Sequence, residues 1–299
     1  MKYDKIQRNP SQLLSLTGFR VSEFEVFVPT FSYHWDEYYS HHTLKGKPRE
    51  RIFYNRKTSQ LPLVTDKLLF ILSYLKNNPL QEYHGATYGM TQPQCNEWVH
   101  RLCEILRKTL KTLGELPERN HLRVQYLLEQ CQDVLLDGTE RPIERPADQD
   151  RQKSCYVVKK THNVKNNLLA TPQKRILWLS RTYEGHVHDK KIQDEQPLKL
   201  PWGIALWQDT GFLGHYPENV TVKMPVKKPK RKELTKEQKE FNREISSFRV
   251  LVEHAIGGVK KCHIVKERLR YRKFGFDDLV MLIACGLHNF IMSLHVNHI

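Results

Sequence analysis

Three acids in unlike surroundings are the residues of this chain whose types and spacing could do chemistry: Asp137, Asp209 and Glu253. Asp137 ends the short apolar run Val134-Leu135-Leu136 and is followed by Gly138. Asp209 ends Ile204-Ala205-Leu206-Trp207-Gln208 and is followed by Thr210 and Gly211. Short apolar runs bounded by turn residues predict buried strands, and an acid at a strand's end is placed to project into a site. Glu253 falls in a predicted helix, with Arg249 one turn before it, Gly257 one turn after and Lys260 two turns after. Three carboxylates brought together repel one another unless divalent cations lie between them, and all-oxygen donors suit Mg2+ or Mn2+. Taken alone, the helix reads more simply as carrying a surface row of salt bridges. The two strand-end acids shift the balance toward a site.

The helix that must position Glu253 is predicted over residues 235–260. Thr235 and Gln238 form a capping box at its start, and Phe241, Ile245, Phe248, Val252, Ala255, Ile256 and Val259 recur at spacings of three and four, one apolar face for a core. A helix over 116–130 leads into the Asp137 strand. Strands at 155–160, 166–171 and 175–180 are expected to form an antiparallel meander. Asp189, in His186-Val187-His188-Asp189, is a rival acid ranked below Asp209, because an acid at a helix start has the simpler work of capping. His186 and His188 are not fixed by any pattern. Asp277 and Asp278 begin a terminal helix, 279–294, expected to cover the sheet.

Upstream, Pro10 to Phe19 reads as a helix stopped by Gly18. Residues 31–42 are dense in aromatics and histidines, a segment expected to pack against a neighbour; His34, His41 and His42 lack ordered metal-ligand spacing. A core helix over 67–75, a short one over 81–88, a turn at Gly89 and a long helix opened by the Thr91/Gln94 capping box follow the helix-turn-helix plan. In that plan the last helix enters the major groove by its N-terminal residues, which makes Gln92, Gln94, Asn96 and Arg101 the base-reading candidates. Periodicity alone leaves a plain three-helix packing unit equally open.

The formal net charge of +15 on 299 residues, with a pI near 9.5, favours a polyanionic partner, nucleic acid before an anionic membrane surface. The basic loop Lys227, Lys228, Lys230, Arg231 and Lys232 is a candidate phosphate contact; Lys159, Lys160, Lys165, Lys174 and Arg175 accompany the meander, and Lys260 to Lys273 is another basic stretch. Six cysteines show neither a C-x-x-C pair nor zinc spacing, as expected of thiols in a reducing compartment. No secretory signal is legible, and the apolar run 279–287 is too short to span a bilayer, so a cytoplasmic, nucleoid-associated protein without a membrane partner is expected.

Five stretches, DGTERPIERP (137–146), GHVHDKK (185–191), WQDTGF (207–212), FRVLVEHAIGGVK (248–260) and IACGLHNF (283–290), resemble the DDE transposases of bacterial insertion sequences, in the branch related to the eukaryotic Harbinger elements. The resemblance covers nearly the whole chain. It implies that Asp137, Asp209 and Glu253 are the first, second and third catalytic acids, and it favours the helix-turn-helix reading. Arg249, Glu253 and Lys260 are similar to an R-x3-E-x6-K signature whose opening tyrosine would fall at Ser246.

The fold then expected is α/β: an RNase H-like catalytic domain with a mixed sheet (115–299), preceded by an all-α helix-turn-helix domain (61–114) and a helical, aromatic segment (1–60). The three acids would hold two Mg2+ ions, with Mn2+ as substitute, for hydrolysis that frees a 3′-hydroxyl and joins it to target DNA. Arg249 and Lys260 would steady phosphate. The partners implied are double-stranded DNA, as element ends and as target, and a second copy of the chain in a dimer or larger assembly. A catalytically silent DNA-binding regulator and a stand-alone endonuclease are the alternatives.

Overall fold

The computed structural model describes residues 1–50, 59–157, 161–230, 233–271 and 273–296. Lys159, Lys160, Arg231, Lys232 and Arg272 lie outside the described residues. By internal contacts the chain forms two compact units, one of residues 1–116, 260–267 and 279–299, the other of 117–259 and 268–278.

The first unit is helical. It contains α1 (Tyr3–Ile6), α2 (Pro10–Thr17), α3 (Val21–His41), α4 (Val64–Asn77), α5 (Gln81–Thr87) and α6 (Gln92–Thr112), with α11 (His263–Lys266) and most of α12 (Phe276–Val296). Helix α2 stops where expected, at Gly18 with φ 79°. The aromatic segment is helical: Phe24, Phe27, Phe31 and Trp35 of α3 are buried, and Trp35 stacks on Trp98 of α6 at 5.6 Å. Of the histidines of this segment, His34 is engaged by its own unit, its Nε2 2.7 Å from Thr112 Oγ1.

Helix α6 begins on the predicted capping box, Thr91 N–H donating to Gln94 Oε1 at 2.9 Å. Close approach of α5 to its start requires a residue without a side chain. A Cβ on Gly85 would lie 2.7 Å from the Met90 carbonyl oxygen and 3.3 Å from Cys95 Cβ.

The terminal helix, expected to cover the sheet, packs within the helical unit from Leu279 onward. Phe290 stacks on Phe19 at 5.6 Å, Asn289 Nδ2 donates to Glu115 O at 2.9 Å, and Gly286 leaves room for Leu110 and Leu116. Phe276–His295 is long and apolar enough to pass for a membrane span, with mean hydropathy 1.4, but 56% of that window is buried inside the protein.

The second unit carries α7 (His121–Leu128), β1 (Asp133–Pro142), α8 (Gln149–Cys155), β2 (Asn163–Ala170), β3 (Ile176–Leu179), β4 (Tyr183–Glu184), α9 (Asp189–Glu195), β5 (Ala205–Gln208), β6 (Thr221–Lys223) and α10 (Lys236–Val259). One mixed sheet runs β3-β2-β1-β5-β6, with β4 beside β2. The first three strands are antiparallel and β5 and β6 join parallel to β1, the arrangement of an RNase H-like sheet. The expected strand at 155–160 is in part a helix end: Asp148 Oδ1 accepts from the Arg151 amide at 2.8 Å and starts α8, which runs through Cys155.

Side chains alternate between the two faces of a strand. Val134, Leu136, Leu169, Leu206 and Phe212 meet Val124 and Leu128 of α7 in one core. The neighbouring positions, Leu135 and Trp207, pair in register, and Trp207 stacks on Phe248 of α10 at 4.1 Å. Helix α10 therefore lies across the face opposite the α7 core. Its predicted cap is present, with Gln238 Oε1 and Thr235 Oγ1 each accepting from the other residue's amide at 3.0 and 3.2 Å.

Candidate active site

Parallel pairing of β1 with β5 ends at Leu136 opposite Gln208, so Asp137 and Asp209 are the next residues on adjacent strands. Asp137 is not at a strand end, as expected, but inside β1, which continues to Pro142 paired only with β2. What ends there is β5: Asp209 begins the turn Thr210–Phe212. Strand alternation puts both carboxylates on the face that α10 crosses.

There they meet Arg249, whose Nη2 lies 3.3 Å from Asp209 Oδ2 and 3.8 Å from Asp137 Oδ1. The guanidinium and the Asp137 carboxylate are largely buried, at 18% and 15% exposure, whereas Asp209 is 41% exposed. Burial pushes the Asp137 carboxyl up from 3.8 to about 6. Arg249 and the Gly138 amide, which donates to Asp137 Oδ1 at 2.8 Å, pull the other way, and Asp209 and Asp189 add to the rise.

Two carboxylates that already share one cationic nitrogen fit a divalent cation: hard oxygen donors, one buried and one open to incoming substrate. Glu253 lies one turn beyond Arg249 on the same helix and is exposed. Among the described residues no three His, Cys, Asp or Glu side chains are gathered closely enough to form a metal cage. The structure thus brings together Asp137, Asp209 and Arg249; it does not gather Glu253 into a cluster with the two aspartates, and Lys260 follows the last residue of α10 in the sequence.

Asp189 takes a different place. It begins α9 with its carboxylate against Gly138 and Gly211, paired with Lys165 Nζ at 3.2 Å. Gly138 faces away from Asp137 along the strand, so Asp189 backs the sheet on the face opposite Arg249. Sequence spacing ranked Asp189 as a rival acid. Only the strand register shows that it stands behind the site.

The basic loop is fixed at its start, where Asn242 of α10 exchanges two hydrogen bonds with the Val226 backbone at 2.8 and 3.0 Å. Lys227 and Lys230 are exposed, and Lys228 pairs with Glu233. Of the base-reading candidates, Gln94 closes the capping box. Gln92 and Asn96 both bond to the Gln81 side chain, Asn96 at 3.1 Å. Arg101 donates to Leu44 O at 3.0 and 3.1 Å with its guanidinium over the Tyr38 ring, holding the segment after α3.

A strand-borne pair of acids on such a sheet, crossed by a helix that brings an arginine to both, accords with the comparisons. Residues 136–289 match the family described as DDE superfamily endonuclease, and residues 60–112 match the helix-turn-helix of DDE superfamily endonuclease. The chain belongs to the DDE superfamily endonucleases, the transposase class, with a DNA-binding helix-turn-helix ahead of the endonuclease domain. Among its relatives is a probable transposase for insertion sequence element IS702 from Microchaete diplosiphon, 29% identical over 236 residues, 78% of this chain and 82% of the relative. No solved structure matches. Endonucleases of this superfamily depend on divalent metal.

Proposed function

We propose that the chain is an insertion-sequence transposase that cuts at the ends of its element and joins the freed 3′-hydroxyl to target DNA. The observation that carries this reading is the shared placement of Asp137 and Asp209 against Arg249. Asp137 and Asp209 would hold the metal, with Glu253 as the third carboxylate. A divalent ion, Mg2+ or in its stead Mn2+, and two of them in the full site, would supply charge to activate the attacking oxygen and stabilise the leaving one.

The protein's own part is to position and neutralise. Asp137 is buried enough to stay fixed, while Asp209 stands at the open edge. Arg249 neutralises both acids before substrate arrives, and its guanidinium is then a donor for a phosphate oxygen. Water attacks the scissile phosphorus and the bond to the 3′-oxygen breaks, that oxygen taking up a proton as the water loses one; the freed 3′-hydroxyl then attacks a target phosphorus, where the bond to the target strand's own 3′-oxygen breaks and that oxygen leaves with the hydroxyl's proton. Lys227, Lys228 and Lys230 contact the DNA backbone, and the helix-turn-helix recognises the element ends. A dimer or larger assembly in the cytoplasm, on the nucleoid, would hold paired ends.

Incubation of labelled element-end DNA with a target plasmid tests the reading. Joined products support transposition; cut ends without joined products reduce the function to endonuclease. Binding without cutting reduces it to a DNA-binding regulator.

A further inference from the structure

The Lys165–Asp189 pair lies on the reverse face of the sheet, directly behind the acids, and the packing there is tight. A Cβ on Gly138 would fall 2.9 Å from Asp189 Cγ and 3.1 Å from both of its carboxylate oxygens, so the carboxylate lies flat over that bare backbone. A Cβ on Gly211 would come within 3.3 Å of Asp189 Oδ2. Gly138 adjoins Asp137, and Gly211 is two residues past Asp209. One carboxylate therefore touches both backbone segments that carry the site.

The pair is held from β2. Lys165, opposite Glu140 in register, is nearly buried and bonds Asp189 Oδ1 at 3.2 Å with Glu140 Oε1 at 3.8 Å. Asn167, opposite Gly138, donates its Nδ2 to the Asp189 carbonyl at 2.8 Å. Strand β2 thereby fixes both the side chain and the backbone of the first residue of α9.

We propose that Asp189 is a positioning residue for the metal-binding acids: with Lys165 it forms a charge-balanced buttress that sets the spacing of Asp137 and Asp209 from behind. This rests on the reading of those two acids as metal ligands. Removing only the Asp189 charge leaves the Lys165 ammonium behind Asp137 with Glu140, 3.8 Å away, as its remaining acid here, and the lost negative charge disfavours cation binding at Asp137. Removing both charges returns the cluster of Lys165, Asp189 and Glu140 to its original net charge.

Mn2+ binding to the DNA-free full-length protein, followed by isothermal titration, tests this in wild type, D189N, D189N/K165M and D137N, with thermal unfolding as the check on folding. D189N is expected to weaken Mn2+ binding about tenfold, the scale on which residues supporting metal ligands act, and D189N/K165M to recover most of it. Unchanged affinity in D189N, or a double variant as weak as the single one, overturns the buttress. If D137N binds Mn2+ as wild type does, it is the assignment of the metal-binding acids that fails. Loss of binding in D137N with no change in D189N overturns the buttress alone.

Discussion

Arg249 Nη2 donates to Asp209 Oδ2 at 3.3 Å and, 3.8 Å from Asp137 Oδ1, serves both acids with one guanidinium. The contact joins the central helix to the edge where β5 stops while β1 continues. Replacing Arg249 with Gln leaves the two acids facing each other without a counter-charge. Cleavage is expected to fall about a hundredfold, the scale of losing one donor aimed at developing charge. Affinity for element ends, measured by electrophoretic mobility shift, is expected to stay within about twofold. Equal loss of binding and cleavage would make Arg249 a DNA-binding residue only.

The raised proton affinity of Asp137 predicts how stability varies with pH. Its carboxyl titrates near 6 in the folded protein against 3.8 as the ordinary value, so between those pH values the folded state holds more proton than the unfolded state. Stability of the metal-free protein must therefore fall as pH rises from about 4 to about 6 through this residue. The shift is worth roughly 2–3 kcal/mol at about 1.4 kcal/mol per pH unit. D137N, with no charge to bury, is expected to be more stable than wild type at pH 7, and the difference should vanish near pH 4. Chemical unfolding at the two pH values checks it; a difference independent of pH would mean that Asp137 is not buried against its charge.

Gly85 makes the turn into α6 possible, and Gly85→Ala would force a Cβ to 2.7 Å from the Met90 carbonyl oxygen. The cost is expected to be about 1–3 kcal/mol of stability, with binding of element ends reduced because the first turn of α6 shifts. Retained melting temperature and retained binding would show that the α5 and α6 backbones do not pack this closely in solution.

Among the loop lysines, Lys227 and Lys230 are exposed while Lys228 is engaged by Glu233. Removing one lysine that neutralises a phosphate should lower the slope of log affinity against log salt by about 0.9. K227Q/K230Q is expected to lower it by about twice that, and K228Q by less. A slope unchanged in the double variant would remove the loop from the DNA interface.

The acids on β1 and β5 and the helix carrying Arg249 were legible in the sequence because each is a local pattern: an apolar run stopped by an acid, a capping box, an apolar stripe at helical spacing. The order of the sheet was legible only as a class. What sequence spacing could not supply is register. Asp189 looked like another acid for the site because it lies close in kind, yet Gly138 opposite Asn167 puts it behind the strand. The two glycines beside the acids were the available signal, but bare glycine also reads as a turn. Residues 149–155 show the same limit: the Asp148 cap starts a helix in a stretch whose polar composition reads as loop. The terminal helix, expected over the sheet, packs in the helical unit; an apolar stripe reports that something covers it and not which element does. Its partners, Phe19, Leu110 and Glu115, are remote in sequence.

The most direct test of the account is cleavage of labelled DNA carrying the element's ends by wild type, D137N, D209N and E253Q, each in Mg2+ and in EDTA. Metal-dependent cutting by wild type, abolished in all three variants while end binding persists, is the predicted result. Cutting at full rate in EDTA, or by D137N or D209N in Mg2+, would contradict the assignment of these carboxylates as the metal-holding centre.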